Sequence, residues 1–148
     1  MRRIEFLELL VNLFQFKTVH DEKGNEYVLF SDNPINSAAN VQDHTAFEAI
    51  QNHVHLMVNI QKDELQKASE IADKIGRALL TNLRACFPEK KFFVFVSFRK
   101  NDDMIIRFHQ SWNNEAPYFD PHDFADEKVY IFTDRTQHRG LLRNGTVR

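Results

Sequence analysis

The sequence is poor in the residues that phosphate cradles, sharp elbows and disulfides require. Its four glycines, Gly24, Gly76, Gly140 and Gly145, leave no Walker loop, dinucleotide fingerprint or Gly-x-Ser-x-Gly elbow to be written. Its one cysteine, Cys86, excludes an internal disulfide, and its position at the end of a helical apolar stripe predicts a small buried thiol. No apolar run of about 18 residues occurs, so no membrane span is expected. The acid in Met1-Arg2-Arg3-Ile4-Glu5 argues against a signal peptide, and a cytoplasmic protein is the expectation. Charge of one sign is also missing. Nineteen Lys and Arg against twenty-one Asp and Glu give net −2, which removes the electrostatic case for a nucleic-acid or membrane-surface partner.

What the chain has instead is bulk. Fourteen phenylalanines and 43% hydrophobic residues in a chain of 148 suit one well-ordered core without a structural metal. Seven histidines are present, and protonating all of them would move the formal charge from −2 to about +5. The charge is uneven. Arg135, Arg139, Arg143 and Arg148 make a tail of +4, leaving −6 on residues 1–134. Glu115, Asp120, Asp123, Asp126 and Glu127 lie between Asn113 and Glu127 with no Lys or Arg among them.

The apolar spacing predicts the elements. Ile4, Leu7, Leu10 or Val11 and Phe14 mark a helix over 3–15 with Glu5, Glu8, Asn12 and Gln15 outward. Residues 16–31, broken at Asp21-Glu22-Lys23-Gly24-Asn25, read as two strands and a turn. Thr45-Ala46-Phe47-Glu48 has the pattern of a capping box opening a short helix to about Gln51. Residues 53–60 alternate as a strand, with Val54, Leu56, Val58 and Ile60 on one face and His53, His55, Met57 and Asn59 on the other. Asp63 and Gln66 read as the cap of a long helix whose stripe is Leu65, Ala68, Ile71, Ala72, Ile75, Leu79 and Leu83, ended by Pro88. Strands follow at 92–98 and 104–112, with Trp112 on the core face, and a fourth at 129–132. The expected fold is α+β: a single domain over 1–148, a mixed or antiparallel sheet with a β-α-β-β core and helices packed on it. Strand 92–98 is expected between the other two, and 136–148 is expected to be a flexible basic tail.

That arrangement groups His53, His55, Arg107, His109 and Ser111 on the sheet face away from the long helix. A His-x-His pair on a strand sets two imidazoles on one side ~6.6 Å apart at Cα, within reach of one metal ion. His53, His55 and His109 are therefore candidate metal ligands. The string Asn52-His53-Val54-His55-Leu56-Met57-Val58 also resembles the His-hydrophobe-His strand of HUH endonucleases, particularly the small transposases that cut single-stranded DNA. The match covers about seven residues and a following helix. It implies that His53 and His55 hold a divalent metal while a tyrosine on a later helix attacks the phosphate. Tyr118, beside Pro117, and Tyr130, in a strand-like run, both depart from that pattern, and the net acidity departs from a DNA-cutting enzyme. In the HIT hydrolase motif a third histidine would stand where this chain has Met57.

With catalytic motifs missing, the leading expectation is a non-enzymatic protein-binding module without a cofactor, of the bacterial immunity or antitoxin type. The docking residues expected are Glu115, Asp120, Asp123, Asp126 and Glu127, for a basic partner such as a toxin domain, together with Met57 and Phe95 on the histidine face. Homodimerisation through that face fits equally. The alternative is a metal-dependent phosphodiesterase or single-strand nuclease using His53, His55 and His109.

Overall fold

The computed structural model describes residues 3–35, 43–119, 128–134, 140–143 and 146–147. Helix α1 (Arg3–Asn12) leads into an antiparallel hairpin, β1 (Phe16–His20) and β2 (Glu26–Phe30). Asp21 closes its turn. Its carboxylate accepts from the backbone N–H of Lys23 and Asn25, each at 2.9 Å, and from the Asn25 amide and the Tyr27 hydroxyl. Gly24 sits at φ +81°, a left-handed position that favours glycine. The hydrogen bond from the Asn25 side chain leads those holding the Asp21 carboxyl down at about 2.

Helix α2 (His44–Gln51) precedes β3 (His53–Met57), and α3 (Leu65–Cys86) crosses to β4 (Phe92–Phe98). Then follow β5 (Met104–Gln110), β6 (Lys128–Thr133), β7 (Gly140–Arg143) and β8 (Thr146–Val147). The fold is α+β, and among the described residues every neighbouring strand pair is antiparallel. The main sheet runs β3-β5-β4-β6-β7-β8. Strand β3 is therefore parallel to β4, as the helical crossover requires. The strand between them is β5, not β4 between β3 and β5 as expected. A tight β4–β5 hairpin satisfies either order; the observed one leaves β3 at the sheet edge. The basic tail contributes β7 and β8 to the opposite end of the sheet, so part of it is strand.

Helix α3 covers one sheet face. Its Ala68, Ala72, Leu79, Leu80 and Leu83 are buried against Val94, Val96, Ile106 and Phe108, with Leu13, Phe30 and Ile60 closing the same core. A Cβ at Gly76 would run into the ring of Phe132, so glycine is what lets α3 approach β6. The other face carries a smaller cluster of Phe95, Phe119 and Val129, flanked by Phe93, Tyr118 and Ile131.

Several local expectations are corrected. Strand β3 ends at Met57, and a bulge between His55 and Met57 turns Met57 toward the main core beside Leu56. Val58 is then exposed rather than inward, and Asn59 takes a left-handed φ of 52°. The capping box before α3 is Gln61 with Glu64, whose carboxylate accepts from Gln61 N–H at 2.8 Å at the start of a short 3-10 turn, not the Asp63–Gln66 pair. Cys86 is exposed, because the stripe ends at Leu83. Trp112 lies beyond the end of β5. Helix α1 is reversed: Ile4, Leu7, Val11 and Phe14 are 70%, 60%, 51% and 38% exposed, while Leu13, just past the helix, is fully buried. Leu9, Leu10 and Leu13 form a second apolar face, so spacing alone does not say which side goes inward.

Candidate functional site

The exposed edge strand β3 presents His53 opposite Arg107 and His55 opposite Ile105. Each imidazole is held at Nδ1. His53 Nδ1–H donates to the Ile50 carbonyl at 2.7 Å, and His55 Nδ1–H donates to the Asp103 carboxylate at 2.7 Å. The other Asp103 oxygen accepts from Asn59 N–H at 3.2 Å, which ties the turn after the bulge to the same carboxylate. The two ring centroids are 5.7 Å apart. Arg107 donates to the Ala49 carbonyl at 3.0 Å and lies over the Tyr118 ring.

His109, expected as the third ligand, has a different environment. It is buried between Phe93 and Phe95, with both rings stacked on it. Its Nδ1–H donates to the Gln110 carbonyl at 2.7 Å, and its Nε2 accepts from Tyr118 N–H at 3.2 Å. Burial pushes its pKa down. Both nitrogens are committed, so it is a satisfied core histidine and does not complete a triad with His53 and His55. Among the described residues no group of three or more His, Cys, Asp or Glu side chains is arranged to hold a metal ion.

Glu48, expected only as the far half of a capping box with Thr45, has a role that the spacing did not reveal. Asp43, not Thr45, caps α2, accepting from Ala46 N–H at 2.8 Å. Glu48 points inward with no exposed surface. It accepts from Val28 N–H (2.9 Å), Gln110 N–H (2.6 Å), the Gln110 amide (2.6 Å) and the Trp112 indole (3.0 Å). Burial pushes its pKa up against the pull of these donors. One turn on, Asn52 accepts from Phe30 N–H at 3.0 Å and donates to the Val28 carbonyl at 2.8 Å. The amide thus takes the place of a neighbouring strand's peptide group on β2. Thr45, Glu48, Ala49 and Asn52 share the inward face, while Ile50 is exposed. That inversion, polar residues where helical spacing demands apolar ones, is the signal the sequence carries for this clamp.

The expected docking residues are also relocated. Glu115 accepts from Thr45 N–H at 2.9 Å and pairs with His44 at 2.7 Å. Burial raises its carboxyl's pKa, but those bonds together hold it below the usual range. His44 is in turn stacked on Trp112 and Tyr27, with ring centroids at 4.6 and 5.9 Å. Glu115 thus secures the start of α2 rather than standing free on an acidic surface. Phe95 is fully buried under Phe119, and Met57 faces the main core. Asp120, Asp123, Asp126 and Glu127 lie outside the described residues. Among the described residues an exposed apolar stripe lies instead on α1, where an open cleft of about 630 Å³ is lined by Ile4, Leu7 and Val11 with Glu8, Asn12, Gln15 and Asp32; Ile35, Ile50 and Val58 are exposed elsewhere. Among the described residues no helix is long and apolar enough to cross a membrane.

The model of the Uncharacterized protein PM0498 family matches residues 9–140, and the chain belongs to that family. No curated protein and no solved structure matches it.

Proposed function

We propose that this chain is a non-enzymatic protein-binding module that docks through α1 on a basic partner protein, acting in the cytoplasm as an inhibitor of the immunity or antitoxin type. The observation that carries this reading is the outward stripe of Ile4, Leu7, Val11 and Phe14. Four large apolar side chains at 3-4-3 spacing, left exposed beside a cleft, are the surface a partner covers. Glu8 and Asp32 line the same cleft, and residues 1–134 carry −6, so the complementary surface is apolar and cationic. The lone exposed thiol of Cys86 suits a reducing compartment. The histidine-triad enzyme reading has less support, since His109 spends both nitrogens inside the fold.

The test is capture of the product of the adjacent reading frame by the full chain. Wild type is expected to retain it, and the double variant Leu7→Glu, Val11→Glu is expected to lose it while unfolding at the same denaturant concentration. Charge reversal at Asp120, Asp123 and Asp126 measures what the acidic segment adds. Capture that survives both sets of changes rejects the assignment of α1 and of the acids.

A further inference from the structure

We propose that His53 and His55 bind a divalent transition-metal ion of the zinc, nickel or copper(II) class through their Nε2 atoms, with Asp103 as the positioning residue for His55. The site is independent of α1 and of any partner protein.

The argument is geometric. Metal-binding histidines characteristically donate the N–H of the other ring nitrogen to a carboxylate or a backbone carbonyl, which fixes the tautomer and aims the ring. Both forms occur here on one strand face: the Ile50 carbonyl takes Nδ1–H of His53, and the Asp103 carboxylate takes Nδ1–H of His55. In its neutral form each imidazole is thereby held in the tautomer whose Nε2 carries a lone pair. Among the described residues no hydrogen-bond partner stands at either Nε2, and both rings are exposed. Two imidazoles sharing one ion at the usual zinc–nitrogen length place their ring centres ~5–6 Å apart. The observed separation is 5.7 Å. Asp103 is itself anchored by Asn59 N–H, so the ring it holds is braced from the turn beyond the bulge. The neighbouring cation, Arg107, is directed to the Ala49 carbonyl and the Tyr118 ring.

Imidazole pairs suit zinc, nickel and copper(II) over magnesium or calcium, which prefer oxygen. Two protein ligands leave the remaining positions to water or to an incoming group, so the expected affinity is micromolar rather than that of a closed structural site.

The experiment uses the untagged full chain with Cys86→Ser, titrated with zinc chloride by calorimetry. Long-range nitrogen–proton NMR follows the imidazoles, with magnesium chloride as the comparison. One zinc ion per chain is expected at micromolar concentration, with the Nε2 signals of His53 and His55 shifting while their Nδ1 stays protonated. His53→Ala and His55→Ala should each weaken zinc about tenfold or more, and Asp103→Asn about 10–100-fold, with unfolding in the presence of a chelator unchanged. Absence of binding at millimolar zinc, binding that survives loss of both imidazoles, coordination through Nδ1, or equal binding of magnesium overturns the site. An Asp103→Asn variant with wild-type affinity overturns the positioning role.

Discussion

A carboxylate placed under a helix with no solvent contact must be met by donors, and Glu48 is met by N–H groups from Val28, Gln110 and Trp112. Removing it strands those donors in the interior. Glu48→Ala is expected to cost roughly 3 kcal/mol or more, and Glu48→Gln less, by denaturant unfolding. The pH dependence follows from the sign of the shift. The folded-state pKa of Glu48 lies above the ordinary 4.5, so ionisation opposes folding, and stability is gained as pH falls from above that raised value toward 4.5. Wild type should therefore gain on Glu48→Gln as the solution is acidified over that window. Asp21 has the opposite sign. Its carboxyl is held down at about 2 against 3.8, so its contribution is present above 3.8 and fades as pH falls through 2. The stability difference between wild type and Asp21→Asn should shrink over that interval, measured by unfolding at a series of acid pH values.

At the scale of elements, α3 and α1 make contrasting cases. Gly76 lies in the middle of α3, where alanine would ordinarily stabilise a helix by ~1 kcal/mol. Here its added methyl meets Phe132, so Gly76→Ala is expected to destabilise, and Phe132→Leu in the same chain should recover most of the loss. A double-mutant cycle reads this directly. On α1, Leu7→Glu should change stability by no more than about 0.5 kcal/mol, because Leu7 faces outward. Leu13→Ala should cost about 2–5 kcal/mol, because Leu13 is fully buried in the core. Equal losses at the two positions would place the stripe inside rather than outside. The same contrast explains what was legible. Alternation located β3 to within its last turn, and the stripe from Leu65 to Leu83 placed α3 on the correct sheet face. Helix α1 is apolar on two sides, so its orientation is set by which side reaches Phe30 and the core, a tertiary fact. The clamp was hidden for the reverse reason: Glu48 and Asn52 are buried polar residues, and a count of hydrophobic positions does not see them.

Across the whole molecule, the β1–β2 hairpin forms a sheet of its own and is tied toward the main sheet by Glu48 of α2 and by Asn52, the residue that ends that helix. Loss of these two links, Glu48→Ala with Asn52→Ala, should loosen the hairpin, which the Gln110 amide on the Glu26 carbonyl, Lys90 on Glu26 and the burial of Val28 and Phe30 still hold. Amide exchange is expected to accelerate in β1 and β2 while β4 and β5 stay protected. Of the histidine site, the sequence showed the His53–His55 spacing but not Asp103, which reaches His55 across forty-eight positions only because β3 and β5 are neighbours. His109 shared the face as expected, but the rings that pack around it are contacts no spacing rule supplies.

The position of β5 between β3 and β4 also sets an order of assembly. Among the described residues β3 pairs with β5 alone, β2 is latched to Gln110 through Glu48, and Asn52 bonds the backbone of Phe108. A nascent chain that has emerged only as far as β4 holds β3 and β4, with α3 between them in sequence, while their shared neighbour is still missing. The β1–β2 hairpin can close on its own, but β3 has no strand to pair with until the strand ending at Gln110 is in place, so the main sheet joins the amino-terminal half to the rest only once β5 is made.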